Sequence, residues 1–139
     1  MRDSLDRLVH RFIKPTDNLV EVVWGGDFIE RFKGLPSSGK PIGESWECST
    51  HPEHPSKVTS DGIEIPLNEL VTLEARGILG PELAMEFGEG LPVLVKFIDA
   101  HQDLSVQVHP SDEKARELGE SDTGKDEAWL VLRAEKDAV

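Results

Sequence analysis

The spacing of apolar and polar positions changes several times along the chain, and each change marks an element. "LVEVVWGG" (Leu19–Gly26) is a valine-rich run that stops at paired glycines, which predicts a strand entering a turn. "DFIERFKG" predicts a short helix opened by Asp27 and closed by Gly34. Beyond the Pro/Gly/Ser loop "LPSSGKPIG", the alternation in "ESWECST" suits a strand with one apolar face. "HPEHPS" is not regular structure, because each proline removes a donor and restrains the residue before it. "IPLNELVTLEARGILG" sets Leu67, Leu70, Val71 and Leu73 around a helical period, and "PELAMEFG" adds another turn or two. "LPVLVKFIDA" is the clearest strand, and the turn-like "HQD" separates it from "LSVQVHPSD". "PSDEKARELG" predicts a short helix with Ser111 or Asp112 as cap and Gly119 as stop. A polar loop, "ESDTGKDE", then leads to a last strand, "AWLVLRA".

In "LSVQVHPSD" the period is two. Ser105, Gln107 and His109 share one face of the expected strand, and Val106 and Val108 share the other. The polar face is expected to look into a cavity, with the valines packed outward against a second layer, because a one-residue slip would exchange the two sets. The whole reads as an α+β chain whose second half is strand-dominated, as in a sandwich or barrel. About four convincing strands are present, too few to close a barrel of roughly eight. The sequence stops at "LRAEKDAV", where a turn should lead to the next strand. An edge near Ala128–Arg133 is therefore expected to keep unpaired backbone groups and to invite another chain.

A chain of 139 residues supports one domain over 1–139. The formal net charge of -12 argues against nucleic acid or an anionic membrane as partner, and any anionic ligand must be held by few, local groups. The single cysteine, Cys48, excludes an intramolecular disulfide and fits a reducing compartment. "MRDSLDRLVHRF" scatters charges and does not read as a signal peptide, and no stretch approaches the roughly 20 apolar residues of a membrane span. The expected location is the cytoplasm.

Gln107, His109 and Glu127 are the constellation with chemistry in it. Imidazole nitrogen and carboxylate oxygen are ordinary ligands of a divalent ion such as zinc, and an amide carbonyl can add a third donor. A helix and a loop separate His109 from Glu127, so the fold must bring them back together. Spacing alone leaves a second reading open, in which His109 is a strand-end histidine before a proline and Gln107 faces solvent. Lys96, inside "VLVKFID", either snorkels out or faces a polar cavity, since an unpaired buried ammonium is costly. His51 and His54 imitate an H-x-x-H pair, but their flanking prolines forbid a helical face, so both read as loop residues. His101 reads as exposed, and Trp129 with the apolar run after Glu127 as core.

"GESWECS", "VLVKFIDAHQDLSVQVHPSDEKA" and "GKDEAWLVL" resemble the type I mannose-6-phosphate isomerases, the phosphomannose isomerases of the cupin superfamily. "WGG" at Trp24–Gly26 and the "HPEHPS" loop fit that family's opening segment, and the resemblance runs in order from about Leu19 onward. It covers the family's N-terminal half. The resemblance implies a mostly β fold with short helices, a partial cupin (double-stranded β-helix, or jelly roll) incomplete at its C-terminus. It implies one zinc ion held by Gln107, His109, Glu127 and a later histidine that has no counterpart here; the family's phosphate-side arginine is likewise absent. The implied reaction interconverts mannose 6-phosphate and fructose 6-phosphate by moving a proton between carbons 1 and 2 through an enediol. Lys125 matches an active-site lysine and is the implied catalytic group, against the alternative of a solvated lysine after Gly124. Ser105, Lys96, Trp46 and Glu47 are the implied substrate contacts, with packing roles as the alternative for Ser105, Trp46 and Glu47. His54 stands where the family loop carries a small residue, so no role transfers to it. The implied partner is a small sugar phosphate, with self-association or a complementing C-terminal chain completing the fold. The competing reading is a non-catalytic cupin-like fragment that binds metal or sugar and needs a partner chain. On either reading the chain alone is expected to isomerise poorly.

Overall fold

The local signals form the elements they predict at three places. Strand β1 (Leu19–Gly26) ends at its paired glycines, helix α1 (Phe28–Lys33) ends at Gly34, and helix α3 (Asp112–Leu118) ends at Gly119. Between them lie β2 (Ile42–Cys48), β3 (Lys57–Ser60), β4 (Ile63–Pro66), helix α2 (Leu67–Phe87) and β5 (Val95–Ile98). The computed structural model describes residues 12–88, 90–120, 123–136 and 138. Most of the opening segment read above for a signal sequence (residues 1–11) lies outside them. The architecture is the expected α+β one, with antiparallel strand pairs, and the chain divides into two compact units, Met1–Leu104 and Ser105–Val139.

In the first unit β2 is the middle strand of the order β1-β2-β5, antiparallel to both neighbours. Trp46 pairs with Lys96 and Ser45 with Phe97, so each pair shares a face of the sheet. Helix α1 lies over the Ser45 face: Phe32 meets Phe97 edge-on at 5.3 Å, and Lys33 reaches Ser45. Asp99, just past β5, accepts the Phe28 amide at 2.8 Å and so serves the first turn of α1 as a cap from a distant part of the chain. The core gathers Val58, Leu67, Leu70 and Val71, with Ile13, Cys48, Ile65, Ile78, Leu79 and Leu91 against it. Leu67, Leu70 and Val71 thus face inward as their period predicts. Leu73 does not; it is exposed, beside a break in α2 at Glu74 (φ -132, ψ 37). A second break falls at Gly80, where Pro81 cannot continue the helical bonding, and it divides the two helical stretches read from the sequence.

The β3–β4 hairpin has no counterpart among the predicted elements. Its turn is Asp61-Gly62 with φ of 50 and 77, the positive-φ pair that two-residue hairpins favour.

The second unit departs most from expectation. Residues 104–109 and 128–134 form no regular strand, and among the described residues no strand pairs with them. Val106 is 100% exposed and Val108 92% exposed, so they do not pack against a second layer. Trp129, Leu130, Val131 and Leu132 are exposed as well, not core. The physical reason is one and the same. An extended segment becomes a strand only through a neighbour's backbone groups, and its apolar face is buried only by a facing layer.

What orders this unit is a clasp at the start of α3. Ser111 Oγ accepts the Lys114 amide at 3.2 Å, which makes Ser111 the cap and frees Asp112 for another task. Asp112 Oδ1 accepts the Gly124 amide at 2.8 Å, and Lys125 N donates to the Pro110 carbonyl at 3.3 Å. The loop after α3 is thereby folded back onto the helix start. Gly124 is required there, because a Cβ would meet backbone atoms of Pro110, Ser111 and Asp112. Gly124→Ala is expected to open the clasp at a cost of about 1–3 kcal/mol. Amide exchange should then speed up at residues 124 and 125 while that of Val58 and Leu70 is unchanged. Unchanged exchange at 124 and 125 would contradict the role given to the close approach.

Candidate functional site

The clasp delivers Glu127 to His109. Their side chains are partly shielded, and His109 Nε2 lies 3.3 Å from Glu127 Oε1. Lys125 Nζ lies 3.0 Å from the other carboxylate oxygen, Oε2. The hydrogen bond from Lys125, then one from the Trp129 side chain, holds the Glu127 carboxyl below the usual glutamate range. Trp129, read from the sequence as core, is therefore a partner of the carboxylate. Gln107 Nε2 donates to Ser105 Oγ at 2.9 Å, and both side chains are exposed rather than turned into a cavity as the strand reading expected. With its amide nitrogen so engaged, Gln107 has its carbonyl oxygen left to offer.

The donor set suits a divalent ion. A tetrahedral zinc with ligand distances of about 2.0–2.2 Å keeps neighbouring donors about 3.4 Å apart, close to the separation of His109 Nε2 from Glu127 Oε1. Among the described residues no three His, Cys, Asp or Glu side chains gather as a metal cluster. The amide oxygen of Gln107, two residues from His109 in the chain, is the further donor expected from the sequence.

The first unit holds a second polar group, built on the two faces of β2. Trp46 and Lys96 stand together: Lys96 Nζ lies 4.0 Å from the indole centroid. Glu44, two residues from Trp46, accepts the indole N–H at 2.5 Å and pairs with Lys96 at 3.2 Å. Glu47 is not brought to this group. It faces α1, where it takes a hydrogen bond from Lys33 at 2.6 Å and one from Ser45. Lys33 also pairs with Asp17 at 2.7 Å. Burial alone would lower the Lys33 pKa, but the bonds to Asp17 and Glu47 outweigh it and raise it. Of the two carboxylates in this strand, the two-residue period sets Glu44 beside Trp46 and Glu47, named from the sequence, on the opposite face. His51 and His54 are loop residues as expected, and both meet the Trp46 ring edge-on. His101 is exposed.

A family model for the catalytic domain of type I phosphomannose isomerase matches residues 16–128. The chain belongs to that family. It is 36% identical over 129 residues to the mannose-6-phosphate isomerase ManA of Bacillus subtilis, covering 91% of the chain and 38% of that protein. It superposes on the structure of a proposed mannosephosphate isomerase from Archaeoglobus fulgidus with a TM-score of 0.69 at 39% identity, covering 81% of the chain and 36% of the other. A mannose 6-phosphate isomerase crystallised with zinc and yttrium gives a TM-score of 0.65 at 28% identity, over 77% of the chain and 29% of the other. The chain thus spans 38% of the length of a curated relative that it matches over nearly its whole extent. Among the described residues no helix is long and apolar enough to cross a membrane.

In this chain the Glu127 pairing carries a pH signature. Its carboxylate is favoured in the folded state, so the contribution of the pairing is present above the ordinary glutamate pKa. It is lost as pH falls through the lower folded value. In the metal-free protein, carboxyl carbon NMR should show Glu127 titrating below the ordinary glutamate range. Lys125→Met should move the midpoint upward. An unmoved midpoint would remove Lys125 as the main cause.

Proposed function

We propose that the chain supplies part of a zinc-dependent aldose–ketose isomerase that interconverts mannose 6-phosphate and fructose 6-phosphate. The observation that carries the reading is the 3.3 Å approach of His109 Nε2 to Glu127 Oε1, on the two segments that carry the family resemblance. Gln107, His109 and Glu127 would hold the ion. A bound zinc would polarise the sugar's carbonyl and hydroxyl oxygens while charge develops on them. Lys125 is assigned to assist the proton transfer as a donor, or to hold an oxygen of the sugar that becomes anionic. Its ammonium is tied to Glu127 Oε2, so it must release that bond as it meets the substrate. Ser105 and Lys96 are assigned to the sugar phosphate. Trp46 and Glu47 are assigned to the pocket's edge, with Glu44 beside Trp46 and Glu47 paired with Lys33. Lys96 and Lys125 are already paired with carboxylates, and the chain carries a net charge of -12, so phosphate recognition calls for further cations. The single cysteine supports a reducing, cytoplasmic setting.

The exposed run Trp129–Leu132 favours a second reading, in which the chain works only with a complementing chain that covers it. The two readings part in one experiment. Zinc titration by calorimetry should give one site, weakened in His109→Ala by at least the roughly 10–100-fold that loss of an outer hydrogen-bond partner typically costs. A coupled assay from mannose 6-phosphate to fructose 6-phosphate should lose about 10²–10⁴-fold in kcat in Lys125→Met. Zinc binding without turnover by the chain alone, with turnover restored when a complementing chain is added, would select the second reading. Zinc binding that is equal in His109→Ala would reject the site.

A further inference from the structure

Trp46 is more deeply engaged than an aromatic at a pocket edge needs to be. It is only 8% exposed, so little of its ring is available to a sugar. Its indole N–H donates to Glu44 Oε2, and the same oxygen receives Lys96 Nζ at 3.2 Å. The ammonium also lies 4.0 Å from the ring centroid, within the range of a cation–π contact. One carboxylate oxygen and one ring therefore bind the same ammonium from two directions. The ring itself is fixed on its other sides. His51 and His54 meet it edge-on at 5.6 and 5.1 Å. The loop that carries them is pinned by Ser56, whose Oγ donates to the Trp46 carbonyl and accepts the Ser49 amide, both at 3.0 Å. Asn18 Nδ2 adds a bond to the His54 carbonyl at 3.1 Å.

We propose that Trp46 is the positioning residue of Lys96. It orients Glu44 with its N–H and holds the ammonium on its π face, so that a long, flexible side chain becomes a fixed donor. A lysine stem has many rotamers, and freezing them at the moment of binding weakens binding. The Glu44–Trp46 pair removes that freedom beforehand. A leucine at position 46 would fill much of the volume but has neither an N–H nor a ring quadrupole. A phenylalanine keeps the ring face and loses only the N–H. The proposal rests on the reading that Lys96 meets substrate, but the fixing of the ammonium is measurable without any turnover.

Trace labelling of lysine amines by acetic anhydride, read by mass spectrometry, measures how free each amine is. In the unaltered protein Lys96 should label more slowly than the exposed Lys114. Trp46→Leu should raise Lys96 labelling about threefold or more relative to Lys114, and Trp46→Phe, which keeps the ring face but loses the N–H, should fall between the unaltered protein and Trp46→Leu. A Trp46→Leu protein whose Lys96 labels at the original rate overturns the proposal, as does a Trp46→Phe protein as fast as Trp46→Leu. If Trp46→Leu merely unfolds, Lys33 on the opposite face of β2 speeds up as well, and NMR of the unaltered protein then decides. A lysine held over an indole has its ε-methylene protons shifted upfield by the ring current. The resonance that disappears in Lys96→Met should be the most upfield lysine ε-proton signal, and an ordinary position for it overturns the proposal. Neither readout depends on isomerase activity, so loss of that reading would leave both intact.

Discussion

The two-residue period of β2 is the constraint from which the first unit is built. As the middle strand, β2 has no edge to give to solvent, and each of its faces must be matched by what lies against it. Ser45 and Glu47 face α1 and are satisfied by Lys33, which Asp17 also holds. Glu44 and Trp46 face the other way and are satisfied by Lys96 from the paired position on β5. A slip of one residue would set Glu47 against the indole's neighbours and leave the Lys33 ammonium facing Trp46. Charge pairing on both faces therefore fixes the register that the apolar residues alone would leave loose.

The second unit is held by different means. Ala115 is its one buried apolar side chain among the described residues, and no sheet runs through it. Two backbone donors, those of Gly124 and Lys125, close the loop after α3 onto Pro110 and Asp112. That closure places the carboxylate of Glu127 at the imidazole of His109, while the valines and the Trp129–Leu132 run stay in solvent. The His109–Glu127 pair is thus organised by a turn, without an apolar layer over the segments that were expected to be strands. This also means that the pairing is only as firm as the turn.

What was legible in the sequence was local. The paired glycines after β1, Gly34 and Gly119 after their helices, and Ser111 before α3 act within a few residues, and each stands where the pattern placed it. The Asp61-Gly62 turn was equally local and equally readable, but the short flanking runs "KVTS" and "IEIP" carry too little alternation to be noticed. The strands expected at 104–109 and 128–134 depend on distant partners, and valine content cannot supply a ladder. At the candidate site, spacing left His109 undecided, and the family resemblance selected Gln107, His109 and Glu127. The clasp was hidden because Gly124 reads as an ordinary loop glycine until the backbone it approaches is known. The role of Trp129 was hidden because an indole in an apolar run reads as core.

In the proposed site His109, Glu127 and Gln107 offer a divalent ion one imidazole and two oxygen donors. X-ray absorption at the zinc edge, on protein loaded with one equivalent of zinc, tests it most directly. Nitrogen and oxygen neighbours at about 2.0–2.2 Å are expected, with the outer scattering of a single imidazole and no sulfur. A sulfur neighbour at about 2.3 Å, which would implicate Cys48, or the scattering of two or more imidazoles, which would implicate His51 and His54, would contradict this donor set.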